Sequence, residues 1–176
     1  MLTKDIWEGH PCCAFACSQE FAVTNPNTYS ALLKSIVDAT QFSSDPANRK
    51  DIAKAIAPKN YLNQPIPVIE QVLTGTYADG LGAVKKVPDR IDFDPFPWHS
   101  MAVWILTQMK RWGYVEGSID YKKIAEQVYL ASDAKKMLTE LGYGAPDKTY
   151  ENYTIMGKEF DYNKPEEYIA SFDIKR

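Results

Sequence analysis

Apolar residues along this chain recur mostly at helical spacing. Tyr29, Leu32, Leu33, Ile36, Val37 and Thr40 share one face of a helix over about 28–42, with Asn27 or Thr28 at its cap. Ser18 is placed to cap a shorter helix that stops before Pro26. Asp45 followed by Pro46 reads as a cap with proline at the first helical position, leading to Ile52, Ala53 and Ile56 before Pro58. From about Pro67, Val68, Ile69, Val72 and Leu73 point inward and Gly75 ends the helix.

Pro88, Pro95 and Pro97 interrupt the next stretch, so a long loop is expected from Thr76 to Pro97, with a turn at Ala78–Gly82. A helix over 98–112 follows, carrying Trp98, Trp104 and Trp112. Its apolar stripe is Val103, Ile105, Leu106, Met109 and Trp112, and Gly113 stands where a left-handed residue would stop it. The helices at 28–42 and 98–112 are expected to pack together as core. Asp120 caps a segment with Tyr121, Ile124, Ala125 and Val128 on one side, and Ser132 caps another with Met137, Leu138 and Leu141. Tyr153 to Phe160, around Gly157, fits a small hairpin.

One segment breaks the helical pattern. Cys12–Cys17, CCAFAC, is a short apolar run between Pro11 and Ser18 and reads as a buried strand; a lone strand leaves its backbone unpaired, so either the run is not a strand or, the favoured reading, its pairing partners come from elsewhere. The expected fold is therefore mainly α with a few short strands: one domain over 1–176, in which 143–176 is a C-terminal extension packing on the rest.

Composition narrows the function. At 176 residues and 45% hydrophobic the chain can bury a core, and 20 Lys plus Arg against 23 Asp plus Glu leaves no basic field for nucleic acid. No apolar stretch is long enough to span a membrane, and the first residues lack the apolar core of a secretory signal. Three cysteines within six positions do not make a disulfide framework, since the side chains of neighbours Cys12 and Cys13 should diverge.

His10, Cys12, Cys13 and Cys17 supply four soft groups of the kind that hold a tetrahedral metal, but adjacent residues on an extended chain face opposite ways. The expectation is that these cysteines serve as small buried hydrophobes. His99 opens the Trp helix, where its ring can bond orphan donors or face a partner. Asp89, Asp92 and Asp94 read as a solvated acidic rim rather than a calcium loop. No nucleophile and base set, acid pair or nucleotide fingerprint is visible, so no enzyme and no cofactor are expected.

The segments IWEGHPCCAF, NPNTYSALLKSIVDAT, NYLNQP, VLTGTYADGLG, DFDPFPWHSMAVWILTQMKRWG and FDYNKPEEYIASF together resemble the nitrate- and bicarbonate-binding proteins of ABC importers. The resemblance covers nearly the whole chain and the C-terminal portion of that family. It implies the C-terminal part of an α/β type II periplasmic-binding-protein fold, with Cys12–Cys17 as a strand returning through the hinge. It also implies a solute-binding role for nitrate, nitrite, bicarbonate or a related small solute, with ABC importer membrane subunits as partners.

In that family a Glu and a Lys follow the His and Pro of this place, and the Lys faces the anion. The resemblance thus puts His10, Cys12 and Cys13 at the ligand. It implies a periplasmic or membrane-associated location as part of a longer exported chain. A cytoplasmic nitrate-sensing relative, or a pocketless helical interaction module, is the alternative. A lobe with its core face partly uncovered should also self-associate.

Overall fold

The computed structural model describes residues 2–173, and Met1 and 174–176 lie outside them. Eight helices and two short hairpins follow one another along these residues. They are α1 (Gln19–Thr24), α2 (Pro26–Ser44), α3 (Arg49–Ile56), α4 (Ile66–Thr74), β1 (Thr76–Ala78), β2 (Val84–Lys86), α5 (His99–Arg111), α6 (Tyr121–Val128), α7 (Ala131–Glu140), β3 (Tyr153–Ile155), β4 (Lys158–Phe160) and α8 (Pro165–Ala170). The mainly helical reading therefore holds.

The chain divides into two compact units, one comprising Thr3–Tyr29 with the chain from Phe96 onward, the other Ser30–Pro95. Most of α2 belongs to one unit and α5 to the other.

In the first unit α5 is the central element. It packs against α6 and α8, and its buried Met101, Ala102 and Val103 meet Trp7, Tyr121, Ala125, Tyr153, Ile155, Phe160 and Tyr168. The extension supplies four of those residues, so it completes the core rather than merely resting on it. The stripe expected on α5 is rotated: Met109 and Trp112 are exposed, while Ser100 and Thr107 are fully buried. Local bonds make this burial tolerable. Ser100 Oγ lies 2.8 Å from the Tyr153 hydroxyl and accepts from Glu151 N, and Thr107 Oγ1 donates to its own helix at Trp104 O.

Capping follows local chemistry. Ser18 accepts from Phe21 N and Asp120 from Lys123 N, as the side chains suggested, whereas Asp45, accepting from Ala47 N, caps a 3₁₀ turn at Pro46–Asn48, and α3 itself starts only at Arg49 with no side-chain cap. Two other expected starts move. The long helix α2 begins at Pro26, ahead of Asn27 and Thr28, because proline needs no hydrogen-bond acceptor in a first turn. Ser132 lies inside α7, which starts at Ala131 behind Leu130 with no side-chain cap. Val128, expected on the inner face of α6, is exposed beside the break at Tyr129.

The second unit is built on α3 and α4: their Ala53, Ile69 and Leu73, with Ala57 just past the end of α3, are buried with Ile52, Ile56, Ile91 and Phe93 packed against them. Val68 and Val72, expected inward, are 49% and 43% exposed, since so short a helix presents only one narrow row to α3. The loop expected from Thr76 contains the β1–β2 hairpin, paired antiparallel from Thr76↔Lys86 to Ala78↔Val84. Gly75 makes the approach possible. Its φ is +68°, and a Cβ there would stand 1.8 Å from the Val87 carbonyl oxygen, whose residue donates its N–H back to Gly75 O at 2.8 Å.

Candidate functional site

The segment around His10 starts from a firm anchor. A 3₁₀ turn at Thr3–Asp5 delivers Trp7, 5% exposed, into the first unit's core, with its ring 4.9 Å from both Trp104 and Tyr153. Ile6 O accepts from Met156 N at the hairpin turn, 2.9 Å away. Gly9, at φ +67°, then turns the backbone, and His10 follows half-buried with its Nε2 enclosed and unpartnered.

Beyond His10 the structure departs from expectation. Cys12–Cys17 forms no strand among the described residues, and Cys12, Cys13 and Cys17 are exposed rather than buried. Phe15 is 57% exposed. Lacking strand pairing, the run is not held to strand alternation, and the Sγ atoms of Cys12 and Cys13 converge to 3.8 Å instead of diverging. No group of three metal-binding side chains forms among the described residues, so the four-ligand set does not assemble.

Cys17 lies in the surroundings of Tyr29. The Tyr29 hydroxyl donates to Asp133 Oδ2 at 2.8 Å, and burial, the Asp133 carboxylate and then Cys17 hold it well above the ordinary tyrosine range, so it stays a donor.

Sequence reasoning missed a second feature, a cleft of about 530 Å³ in the first unit, lined by Trp98, Lys148, Tyr150, Glu151, Asn152, Asp161, Tyr162 and Asn163. Tyr150 and Tyr162 stack with centroids 4.9 Å apart, and Lys122 bonds Asn163 Oδ1 at 2.9 Å while its ammonium lies 5.4 Å from the Tyr162 ring centre. Burial, then the bond to Glu126, raise the Tyr150 hydroxyl and keep it protonated. His99 is buried behind this wall. Its Nε2 lies 2.9 Å from Tyr129 O and so carries the ring proton, and its backbone N–H donates to Thr149 O, so it braces neighbouring loops rather than capping α5.

The lining carries two carboxylates, Glu151 and Asp161, and one lysine, Lys148, and the Lys122 ammonium stands beside it, so the charges around the cleft nearly balance. The density of Tyr, Asn and Asp over 148–163 was its only trace in the sequence. Asp89, Asp92 and Asp94 are exposed on the loop before α5.

Comparison with known proteins places this geometry. Residues 1–57 match the model of the NMT1-like family. The nitrate/nitrite binding protein NrtA of Nostoc sp. strain PCC 7120 is 28% identical, over 100% of this chain and 42% of its own length. The bicarbonate transport ATP-binding protein CmpC of Synechocystis sp. strain PCC 6803 is 27% identical, over 98% of this chain and 26% of its own length. The crystal structure of the periplasmic nitrate-binding protein NrtA from Synechocystis PCC 6803 superimposes with a TM-score of 0.90 at 24% identity, covering 98% of this chain and 48% of that one. The chain thus spans less than half the length of these relatives, and it has the fold of the matching part of a periplasmic binding protein.

Proposed function

From its kinship with the nitrate- and bicarbonate-binding protein family, we propose that this chain is the C-terminal solute-binding part of an ABC importer's binding component, acting on nitrate, nitrite, bicarbonate or a related small anion. The observation that carries the reading is the superposition of 98% of the chain on a nitrate-binding protein at a TM-score of 0.90, alongside sequence similarity over its full length. The role is binding rather than catalysis, the partners are the importer's membrane subunits, and the location is periplasmic or membrane-associated.

His10, Cys12 and Cys13 form the ligand-facing segment. The enclosed, unpartnered Nε2 of His10 supports this assignment. Cys13, where the family resemblance puts a lysine, offers no fixed positive charge, so affinity for anions rests on His10 and local dipoles. Calorimetric titration with nitrate, nitrite and bicarbonate at low ionic strength tests the proposal through Cys13→Lys. The variant should bind more tightly than the wild-type chain, and equal affinity would remove Cys13 from the site.

A second reading has its own support. The match to an importer ATP-binding protein over 26% of that protein's length fits a regulatory solute-sensing domain attached to the ATPase, on the cytoplasmic side. Solute binding with no effect on transport, but with altered ATP hydrolysis by the importer, would favour it.

A further inference from the structure

All three cysteines stand at the surface rather than in the packed interior. The Sγ atoms of Cys12 and Cys13 stand 3.8 Å apart, close enough for both to bond one atom between them. We infer that Cys12 and Cys13 form a dithiol site for a single thiophilic centre of the trivalent arsenic class.

Adjacent residues, with Cα atoms about 3.8 Å apart, fall short of the usual Cα separation of a disulfide, so an S–S bond between them is strained and easily reduced, which favours the dithiol. Hard cations prefer oxygen, and a structural zinc site needs four protein ligands, whereas no set of three assembles among the described residues. What remains is a soft centre satisfied by two sulfurs that brings its own third substituent. Trivalent arsenic carrying one organic group meets that requirement.

The chemistry balances without an oxidant. Each thiol loses its proton, two S–As bonds form, and the oxygen of the arsenic oxide leaves with those two protons as water. Arsenic stays trivalent throughout. The second S–As bond closes within the molecule, so the pair holds the centre far better than one thiol does. Exposure of both sulfurs gives direct access. The inference is independent of the importer reading, because a small inorganic anion forms no such adduct.

Phenylarsine oxide is the probe, added to the reduced chain and followed by intact-mass spectrometry with Cys12→Ser, Cys13→Ser and Cys17→Ser variants. The wild-type chain and Cys17→Ser should each take up one equivalent with loss of one water, resist excess monothiol and release it to a small dithiol. Cys12→Ser and Cys13→Ser should retain at least about tenfold less under the same monothiol challenge. Retention by either of those variants at the wild-type level, or no adduct on the wild-type chain, would overturn the assignment. All three positions are exposed, so serine there leaves the core untouched.

Discussion

Arg49 is 5% exposed, and its guanidinium is met by carbonyls rather than a carboxylate: Nη1 donates to Leu73 O and Pro88 O at 3.0 Å, and Nη2 to Ile91 O at 3.2 Å. One planar fork thus closes the end of α4 and fixes the loop behind it, which a lysine's point charge cannot reproduce. Arg49→Ala should cost about 3 kcal/mol, and Arg49→Lys about 2 kcal/mol, in urea unfolding. A loss below about 0.5 kcal/mol for either would mean that the carbonyls find water instead.

This role was not legible in the sequence, because its partners lie 24 to 42 residues away and are backbone atoms, which carry no side-chain signature. Cys12 and Cys13 were misjudged for a related reason. Apolar neighbours suggested burial, whereas all three cysteine side chains lie at the surface.

At the scale of elements, local chemistry served well wherever a side chain bonds its own backbone. Ser18 and Asp120 cap as their positions suggest, and Gly157 marks the β3–β4 turn. The β1–β2 hairpin escaped notice because its three-residue strands are mostly exposed and show no apolar alternation. The β3–β4 turn itself is imperfect. Met156 adopts φ +51° beside Gly157 at +75°, a conformation that suits asparagine better than methionine. Met156 is also 75% exposed. Met156→Asn should therefore stabilise the protein by about 0.5 kcal/mol, read as a raised denaturation midpoint; a lowered midpoint would show that the methionine side chain makes contacts that matter.

The docking of α8 is also testable through pH. Glu166 accepts from Lys110 Nζ at 2.6 Å and from the Tyr121 hydroxyl at 2.9 Å, and the lysine bond chiefly holds its carboxyl below the ordinary glutamate value. A carboxyl depressed in the folded state stabilises fully above its unfolded pKa of about 4.3, and this contribution fades as pH falls through the lower folded value. Because Glu166 is more than half exposed, solvent screening limits the effect to under about 1 kcal/mol. Glu166→Gln should be slightly less stable than wild type near neutral pH, with the gap closing in acid. A gap that stays constant across that range would show that charge is not the cause.

At the scale of the molecule, the two compact units are each organised around their own cluster, and the first depends on the C-terminal stretch to close it. The resemblance read from the Trp helix and its loop anticipated the fold, because that long amphipathic element keeps its identity whatever surrounds it. The division into units was not anticipated, since helical periodicity shows which face is buried but not against what.

The account's central claim is that this chain takes a small anion at the His10 segment. Titrating the isotopically labelled chain with nitrate, nitrite and bicarbonate, and reading amide chemical shifts, tests it most directly. Saturable shifts centred on His10 to Cys17 with at least one of these anions, and none with chloride, are the predicted result. Shifts confined to the Tyr150–Tyr162 cleft, or no saturable shift with any of the three, would contradict it.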